Sequence, residues 1–296
     1  MEHGKRLLLR GAGGLALLLT CGRRAGAHGS TRRLVAFGDS NVDNGNLFRL
    51  SQGMSPAPPA WQGRASNGPV VVEYLAARAS CLLESYAVGG ATTGLPNIQA
   101  QDDFAPTYPT GTGLHGQIDA FELGGNRFGP KDVAVVWAGS NDIRGARRED
   151  RPTLKRLIAR AASNIDSALT RLDQLGARHI VVANRTPRTV LGSDDDLNGV
   201  DLNVAIRATA EQAARRLATD IRLYDAYTAI ATMIREPKRW GFSEVLGVCI
   251  TVPACAWDAY GGPQPVGEQY VHWDIAHKTT HVHRLMGEQM AAMLAH

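Results

Sequence analysis

Ser40 stands in Phe37-Gly-Asp-Ser-Asn-Val-Asp-Asn-Gly-Asn46, directly after the apolar run Leu34 to Phe37. The run reads as a buried strand and Gly38-Asp39 as the turn that breaks it, which leaves Ser40 just past a strand's carboxyl end. In open α/β sheets ligands bind along that edge. A Ser in a polar turn also serves as a turn residue bonding its own backbone, so a chemical role needs partners elsewhere in the chain. Asp274 and His277, in His272-Trp-Asp-Ile-Ala-His277, have the spacing that puts a carboxylate and an imidazole on one side of a turn. A serine hydroxyl becomes a nucleophile when a neutral imidazole takes its proton, and that imidazole must be fixed in one tautomer. The inventory is that of acyl transfer, with Ser40 attacking, His277 acting as base and then acid, and Asp274 orienting it. The tetrahedral oxyanion needs preplaced donors, for which the candidates are the backbone N–H of Ser40, that of Gly90 and the side-chain amide of Asn141. Each such donor is worth about 2.7–4 kcal/mol in the transition state.

Other assignments compete at several positions. Asp39 reads as structural, accepting turn N–H groups. Asp142 is a second candidate for orienting His277, though Asp274 has the shorter tether, and Gly89 competes with Gly90 as the glycine donor. His277 and His281, with His283 and Asp274 nearby, have spacing that a metal could use. No Glu follows His277 to act as the base of a zinc hydrolase, so neither metal nor cofactor is expected, and His281 and His283 read as packing or surface residues.

The elements that must position these groups alternate. Strands are expected over 34–37, 82–88, 133–137, 179–183 and 221–224, and the uninterrupted apolar run Val133-Ala-Val-Val-Trp137 is the pattern of a strand buried on both faces. Helices are expected over 69–79, 114–123, 153–175 with Gly176 as the terminating glycine, 200–218, from the fifth strand through Arg235, and 279–294. Strand and helix in alternation imply a parallel sheet covered on both faces. The strand ends at Gly38-Asp-Ser40, Gly89-Gly-Ala91 and Gly139-Ser-Asn141 then share one edge. Two irregular stretches, 51–68 and 241–269, are long enough to be functional, and Trp61 and Trp257 within them could line an apolar acyl site.

The 296 residues, 44% hydrophobic and 20% charged, can bury a substantial core. Lys5, Arg6 and Arg10 precede the apolar run Gly11 to Cys21, and Ala25-Gly-Ala27 offers a small-residue cleavage site. Residues 1–27 therefore read as a secretory signal peptide and 28–296 as one domain, secreted or periplasmic. Removing 1–27 takes away five positive charges and one negative, so the net charge falls from +4 to zero. That excludes a nucleic-acid partner argued from charge, and Arg147-Arg148 and Arg215-Arg216 read as solvated helix faces. In the compartment a leader implies, Cys249 and Cys255 could close a small disulfide loop, and Cys81 would be a buried small hydrophobe.

The first block, Phe37 to Asn46, resembles that of the GDSL esterase/lipase family, the SGNH hydrolases. Gly63-Arg-Ala-Ser-Asn-Gly-Pro69, Tyr86-Ala-Val-Gly-Gly-Ala-Thr92, Gly139-Ser-Asn-Asp142 and Trp273-Asp-Ile-Ala-His277 are similar to its later blocks, in the family's order. The likeness is greatest to its secreted branch of bacterial phospholipase/haemolysin-like enzymes and plant-type lipases. The resemblance implies a flavodoxin-like three-layer α/β/α sandwich around a central, mainly parallel five-stranded sheet. It implies the roles above for Ser40, Gly90, Asn141, Asp274 and His277, and block alignment favours Gly90 over Gly89. It further implies a small-molecule or lipid ester substrate, lipid or phospholipid esters first, with transient contact at lipid surfaces. Polysaccharide acetyl esters, acyl transfer to an alcohol and a catalytically silent carbohydrate- or lipid-binding role are the alternatives, and the oligomeric state stays open. Asn41, Ala65, Ser85 and Lys278 stand where the family pattern has Leu, Phe, Asn and Pro, and Ala65 and Lys278 border the expected cleft.

Overall fold

A computed structural model describes residues 32–99, 111–256 and 266–295. The expected leader and Trp257 lie outside the described residues. In chain order the elements are β1 (Arg33–Gly38), α1 (Asn46–Leu50), α2 (Val71–Arg78), β2 (Leu82–Ser85), α3 (Leu114–Leu123), β3 (Val133–Trp137) and α4 (Arg151–Gln174), followed by β4 (His179–Ala183), α5 (Asp194–Arg216), β5 (Asp220–Tyr224), α6 (Ala226–Arg235), β6 (Glu244–Val248), α7 (Pro253–Ala256), β7 (Tyr270–His272) and α8 (Thr280–Leu294). Strands β1 to β5 form one parallel sheet in the order β2-β1-β3-β4-β5. From β1 the chain steps outward to β2, then returns past β1 to β3 and continues the other way. The order therefore reverses between β1 and β3, and the crevice outside their carboxyl ends is where such sheets bind ligands.

Why the strands read as unbroken apolar runs follows from the two cores. Val35, Phe37, Ala134, Val136, Ile180 and Val182 face one layer, packed on Ile118 and Phe121 of α3, Leu154 and Ile165 of α4 and Leu202 and Ile206 of α5. Leu34, Ala36, Val133, Val135, Val181 and Ala183 face the other, against Val72 and Leu75 of α2, Ile230 and Met233 of α6 and Val282 and Met286 of α8. Successive side chains on a strand point to opposite faces, so a sheet covered on both sides needs an apolar residue at every position. The result is a three-layer α/β/α fold.

Boundaries differ where polar residues begin an element. α5 starts at Asp194, six residues before the expected 200, because Ser193 caps it by accepting the N–H of Asp196, and Asp194, Asp195 and Asp196 sit at the positive end of the helix dipole. α4 starts at Arg151 behind Asp150, whose carboxylate accepts the Thr153 N–H, and Gly176 after it takes a φ of 98°. The expected second strand shortens to Leu82–Ser85, although Tyr86 and Val88 still donate backbone hydrogen bonds to Ala36 and Gly38. The stretch after Gly241 is more ordered than its composition implied: β6 pairs in parallel with β7, and Cys249 and Cys255 form a disulfide, their Cα atoms 5.4 Å apart.

Two chain crossings admit only glycine. A Cβ on Gly38, whose φ is 148°, would lie 2.0 Å from the Trp137 carbonyl oxygen at the end of β3. On α8, a Cβ at Gly287 would come within 2.7 Å of the Tyr74 Cβ and 3.0 Å of the Leu75 nitrogen, which is how closely α8 approaches α2. Gly38→Ala should destabilise the fold by about 3 kcal/mol or more, the upper range for overpacking, as read by urea denaturation. A variant as stable as the parent would contradict this account of the β1–β3 crossing.

Candidate active site

β1 ends at Gly38, and Gln117 of α3 fixes that end. Its Oε1 accepts the Gly38 N–H at 2.7 Å, while its Nε2 donates to the carbonyls of Gly38 and Thr112, both at 2.9 Å. Asp39 then donates its N–H to the Trp137 carbonyl, and a turn closed by the Val42 N–H on the Asp39 carbonyl carries Ser40 into the crevice. The Asp39 carboxylate accepts both the backbone N–H and the side-chain amide of Asn41, at 3.0 and 2.8 Å. Burial pushes its carboxyl up to about 6 against those two bonds. Asn41 thus supplies Asp39 with a side-chain donor beside its backbone one.

The second wall follows β2. Asp43 accepts four backbone N–H groups, those of Gly45, Asn46, Leu47 and Gly89. Gly89 is therefore engaged, whereas the N–H groups of Gly90 and Ser40 have no partner among the described residues. A Cβ on Gly90, at a φ of 82°, would meet the Gln99 Cγ at 2.4 Å and the Asn97 Oδ1 at 2.5 Å. The third wall follows β3: Asn141 donates from Nδ2 to the Ala91 carbonyl at 2.9 Å, and an amide nitrogen carries a second N–H. Asp142 does not reach His277. It accepts the Thr93 hydroxyl at 2.6 Å and the Thr93 N–H at 2.9 Å, tying the third wall to the second.

The imidazole arrives from the far end of the chain. β7 leads into a tight turn closed by the Trp273 N–H on the His277 carbonyl and the Thr279 N–H on the Val271 carbonyl. Trp273 is buried with Ala60 and the disulfide. The block around residues 63–69 holds this turn: Ser66 donates to the Lys278 carbonyl, the Asn67 amide oxygen accepts the Thr280 N–H, and Pro69 accepts the Thr280 hydroxyl. His277 Nε2 lies 2.9 Å from Ser40 Oγ, and its Nδ1 lies 2.8 and 3.0 Å from the two Asp274 oxygens. Burial alone would raise the Asp274 carboxyl, but the hydrogen bond and charge of His277 and the N–H groups of Ala276 and His277 outweigh it and hold it well below the usual carboxylate range. Asp274 is thus ionised near neutrality and fixes the imidazole with Nε2 toward the hydroxyl.

Ser40, Gly90, Asn141, Asp274 and His277 line one cavity of about 790 Å³. Ser55, Pro56 and Ala65 of the first irregular stretch reach it, but Trp61 and the described part of 241–269 do not. Trp61 instead lies under the Arg64 guanidinium. Arg147 and Arg148 are not on a helix face: they sit in the loop before α4 and line the cavity with Arg185 and Arg188. Sequence reading missed these arginines, and it missed Gln117 and Asp43, whose role depends on backbone groups up to 79 residues away. His281 turns from the site, its Nδ1 2.6 Å from the Glu268 carbonyl and its ring on Phe242, and His283 is buried on α8.

A parallel α/β/α fold carries a serine, an imidazole and a carboxylate in hydrogen-bonded series beside uncommitted amide donors, the inventory that acyl transfer needs. Comparison of its sequence makes the assignment particular. The family model described as GDSL-like Lipase/Acylhydrolase matches residues 34–290, and the chain belongs to that family. It is 24% identical over 277 residues to the thermolabile hemolysin of Vibrio parahaemolyticus, covering 87% of this chain and 62% of that protein. It is 28% identical over 225 residues to the phosphatidylcholine-sterol acyltransferase of Aeromonas hydrophila, covering 73% and 65%. The chain thus spans less than two thirds of the length of these relatives. Among solved structures, a lipolytic protein of the G-D-S-L family from Veillonella parvula shares the fold at a TM-score of 0.52 and 14% identity, covering 90% of this chain and 99% of that one. An acetylxylan esterase from Geobacillus stearothermophilus does so at 0.51 and 12%, covering 90% and 94%.

Lys278, next to His277, is fully buried, with its Nζ 2.9 Å from the Pro187 carbonyl. Burial, then Arg188, pushes its ammonium from 10.5 down to about 7, against the pull of Asp274. Between those two values the unfolded chain binds the additional proton, so this residue makes stability rise with pH across the window. Urea denaturation from pH 7 to 9.5 should show a gain in stability that Lys278→Met lacks. Parallel pH profiles for the two proteins would contradict the assignment.

Proposed function

We propose that this chain is a serine esterase that hydrolyses lipid or phospholipid carboxylic esters through an acyl-enzyme. The reading rests on the 2.9 Å approach of Ser40 Oγ to His277 Nε2, with Asp274 behind the imidazole. Ser40 Oγ attacks the ester carbonyl carbon as its proton passes to His277 Nε2. Asp274 stabilises the imidazolium so formed, and the oxyanion accepts from the N–H groups of Ser40 and Gly90 and from the Asn141 amide. Collapse of the tetrahedral species breaks the bond to the alcohol oxygen, which takes the proton from His277 and leaves an acyl group on Ser40. Water, deprotonated by the same imidazole, then attacks the acyl carbon and releases the carboxylic acid. These steps use the chain's own groups and need no cofactor.

The relative named a phosphatidylcholine-sterol acyltransferase supports a phospholipid ester as the acyl source. Residues 1–27 are proposed as a cleaved leader and 28–296 as a single domain acting outside the cytoplasm, with transient access to lipid surfaces. The leader and the compartment rest on the basic, apolar and small-residue segments of the N-terminus.

Hydrolysis of p-nitrophenyl esters of graded acyl length should proceed, with kcat/KM rising beyond the acetyl ester. A protein active on the acetyl ester alone would favour polysaccharide deacetylation, and transfer to added alcohols in preference to water would favour an acyltransferase. Ser40→Ala should abolish turnover with an unchanged circular dichroism spectrum. Asn141→Ala should lower kcat by about 10²–10³-fold, the loss typical of one oxyanion donor. Full activity in either variant would contradict the assigned roles.

A further inference from the structure

The cavity is not uniform in charge. Asp39, Asp43 and Asp274 line it together with Leu47, Pro56 and Ile275, and so do five arginines from two segments, Arg144, Arg147, Arg148, Arg185 and Arg188. Glu149, Asp194 and Asp195 line it as well. Ion pairing does not give each arginine a carboxylate of its own. Arg147 pairs with Glu149 and Arg148 with Asp201. Arg185 and Arg188 share the single carboxylate of Asp195, and the Arg144 guanidinium has no partner among the described residues.

Arg185 is built in. Its side chain is 2% exposed. Its guanidinium lies so close to α5 that a Cβ on Gly199 would fall 2.1 Å from its Nη1, so only glycine leaves it room there. Its Nε is buried without a hydrogen-bond partner. A charged fork kept at a cavity wall, with one donor unpaired and a second arginine competing for its carboxylate, is costly unless an anion contributes to its solvation.

The position of Arg185 and Arg188 relative to the reacting atoms follows from two contacts. Lys278 Nζ donates to the Pro187 carbonyl, and the Thr189 hydroxyl donates to the Ile275 carbonyl. They hold the 185–189 segment beside the turn that carries His277. The leaving alcohol takes its proton from His277 Nε2 and so lies on the imidazole side, next to those arginines.

We infer that the end of the cavity walled by Arg144, Arg185 and Arg188 is a subsite for a phosphate group carried by the alcohol portion of the ester. Guanidinium forks match phosphate oxygens bidentately, and forks from two separate segments are used more fully by a phosphate than by the two oxygens of a carboxylate. The assignment deepens the esterase reading and rests on it for which part of the substrate bears the anion. The same phosphate chemistry is offered by a phospholipid headgroup and by a free phosphate monoester.

The test separates these and is independent of turnover in its first arm. Ser40→Ala protein is titrated with sn-glycerol 3-phosphate and with glycerol by isothermal calorimetry, alone and with Arg144→Gln or Arg188→Gln added. The phosphate should bind and glycerol should not, with affinity falling about tenfold or more in either arginine variant, the loss expected for a charge-assisted hydrogen bond. In the second arm, kcat/KM is compared for monomeric dihexanoylphosphatidylglycerol and neutral dihexanoylglycerol. The ratio should favour the phospholipid, fall about tenfold in Arg144→Gln and recover in Arg144→Lys. Binding in the first arm without selectivity in the second identifies a free phosphate monoester as the natural source of the anion. Equal affinity for glycerol 3-phosphate with and without the arginines overturns the subsite, whether or not esters are hydrolysed. Loss of all ester turnover with binding intact overturns the esterase reading alone.

Discussion

The hydrogen bond between Ser40 and His277 joins residues 237 positions apart, and most of what surrounds the cavity exists to keep its two ends in register. An isolated contact of this kind contributes about 1 kcal/mol, too little to hold two loops against their own entropy. Each loop is fixed by contacts of its own. Gln117 secures the strand end that carries Ser40 with three hydrogen bonds. Ser66, Asn67 and Pro69 secure the turn that carries His277, and Trp273 anchors it in a small core with the disulfide.

Acidic residues do two kinds of work around the site. Asp43 and Asp142 are fasteners. Each accepts neutral donors, four backbone N–H groups in one case and the hydroxyl and N–H of Thr93 in the other, and burial raises the carboxyl of both. Asp274 faces a titratable ring instead and is held well below the usual range. The same side-chain type thus serves as a backbone cap or an imidazole partner according to what stands opposite it. Asp43 engages the Gly89 N–H, whereas the Gly90 N–H has no partner among the described residues.

The central strands were legible because both faces are covered, so every position in Val133-Ala-Val-Val-Trp137 had to be apolar. Asp274 and His277 were legible because a local turn makes their contact. The buried fasteners were not. Gln117 sits on an amphipathic helix where a polar residue reads as solvent-facing, and only the three-dimensional approach of Gly38 reveals it as fully buried. Arg147 and Arg148 read as a solvated helix face because pairs of charges usually are, but α4 begins only at Arg151 and leaves them in the loop that walls the cavity. Their partners, Glu149 and Asp201, lie two residues away in one case and on another helix in the other, a difference that composition does not carry.

The central claim is that one hydroxyl among many is made reactive by an imidazole from the opposite end of the chain. Stoichiometric reaction with a fluorophosphonate, followed by peptide mass spectrometry, tests it most directly. One adduct per chain, on Ser40, formed far more slowly in His277→Ala, is the result the account predicts. An adduct on a different serine, or a folded protein that takes up no label, would contradict it.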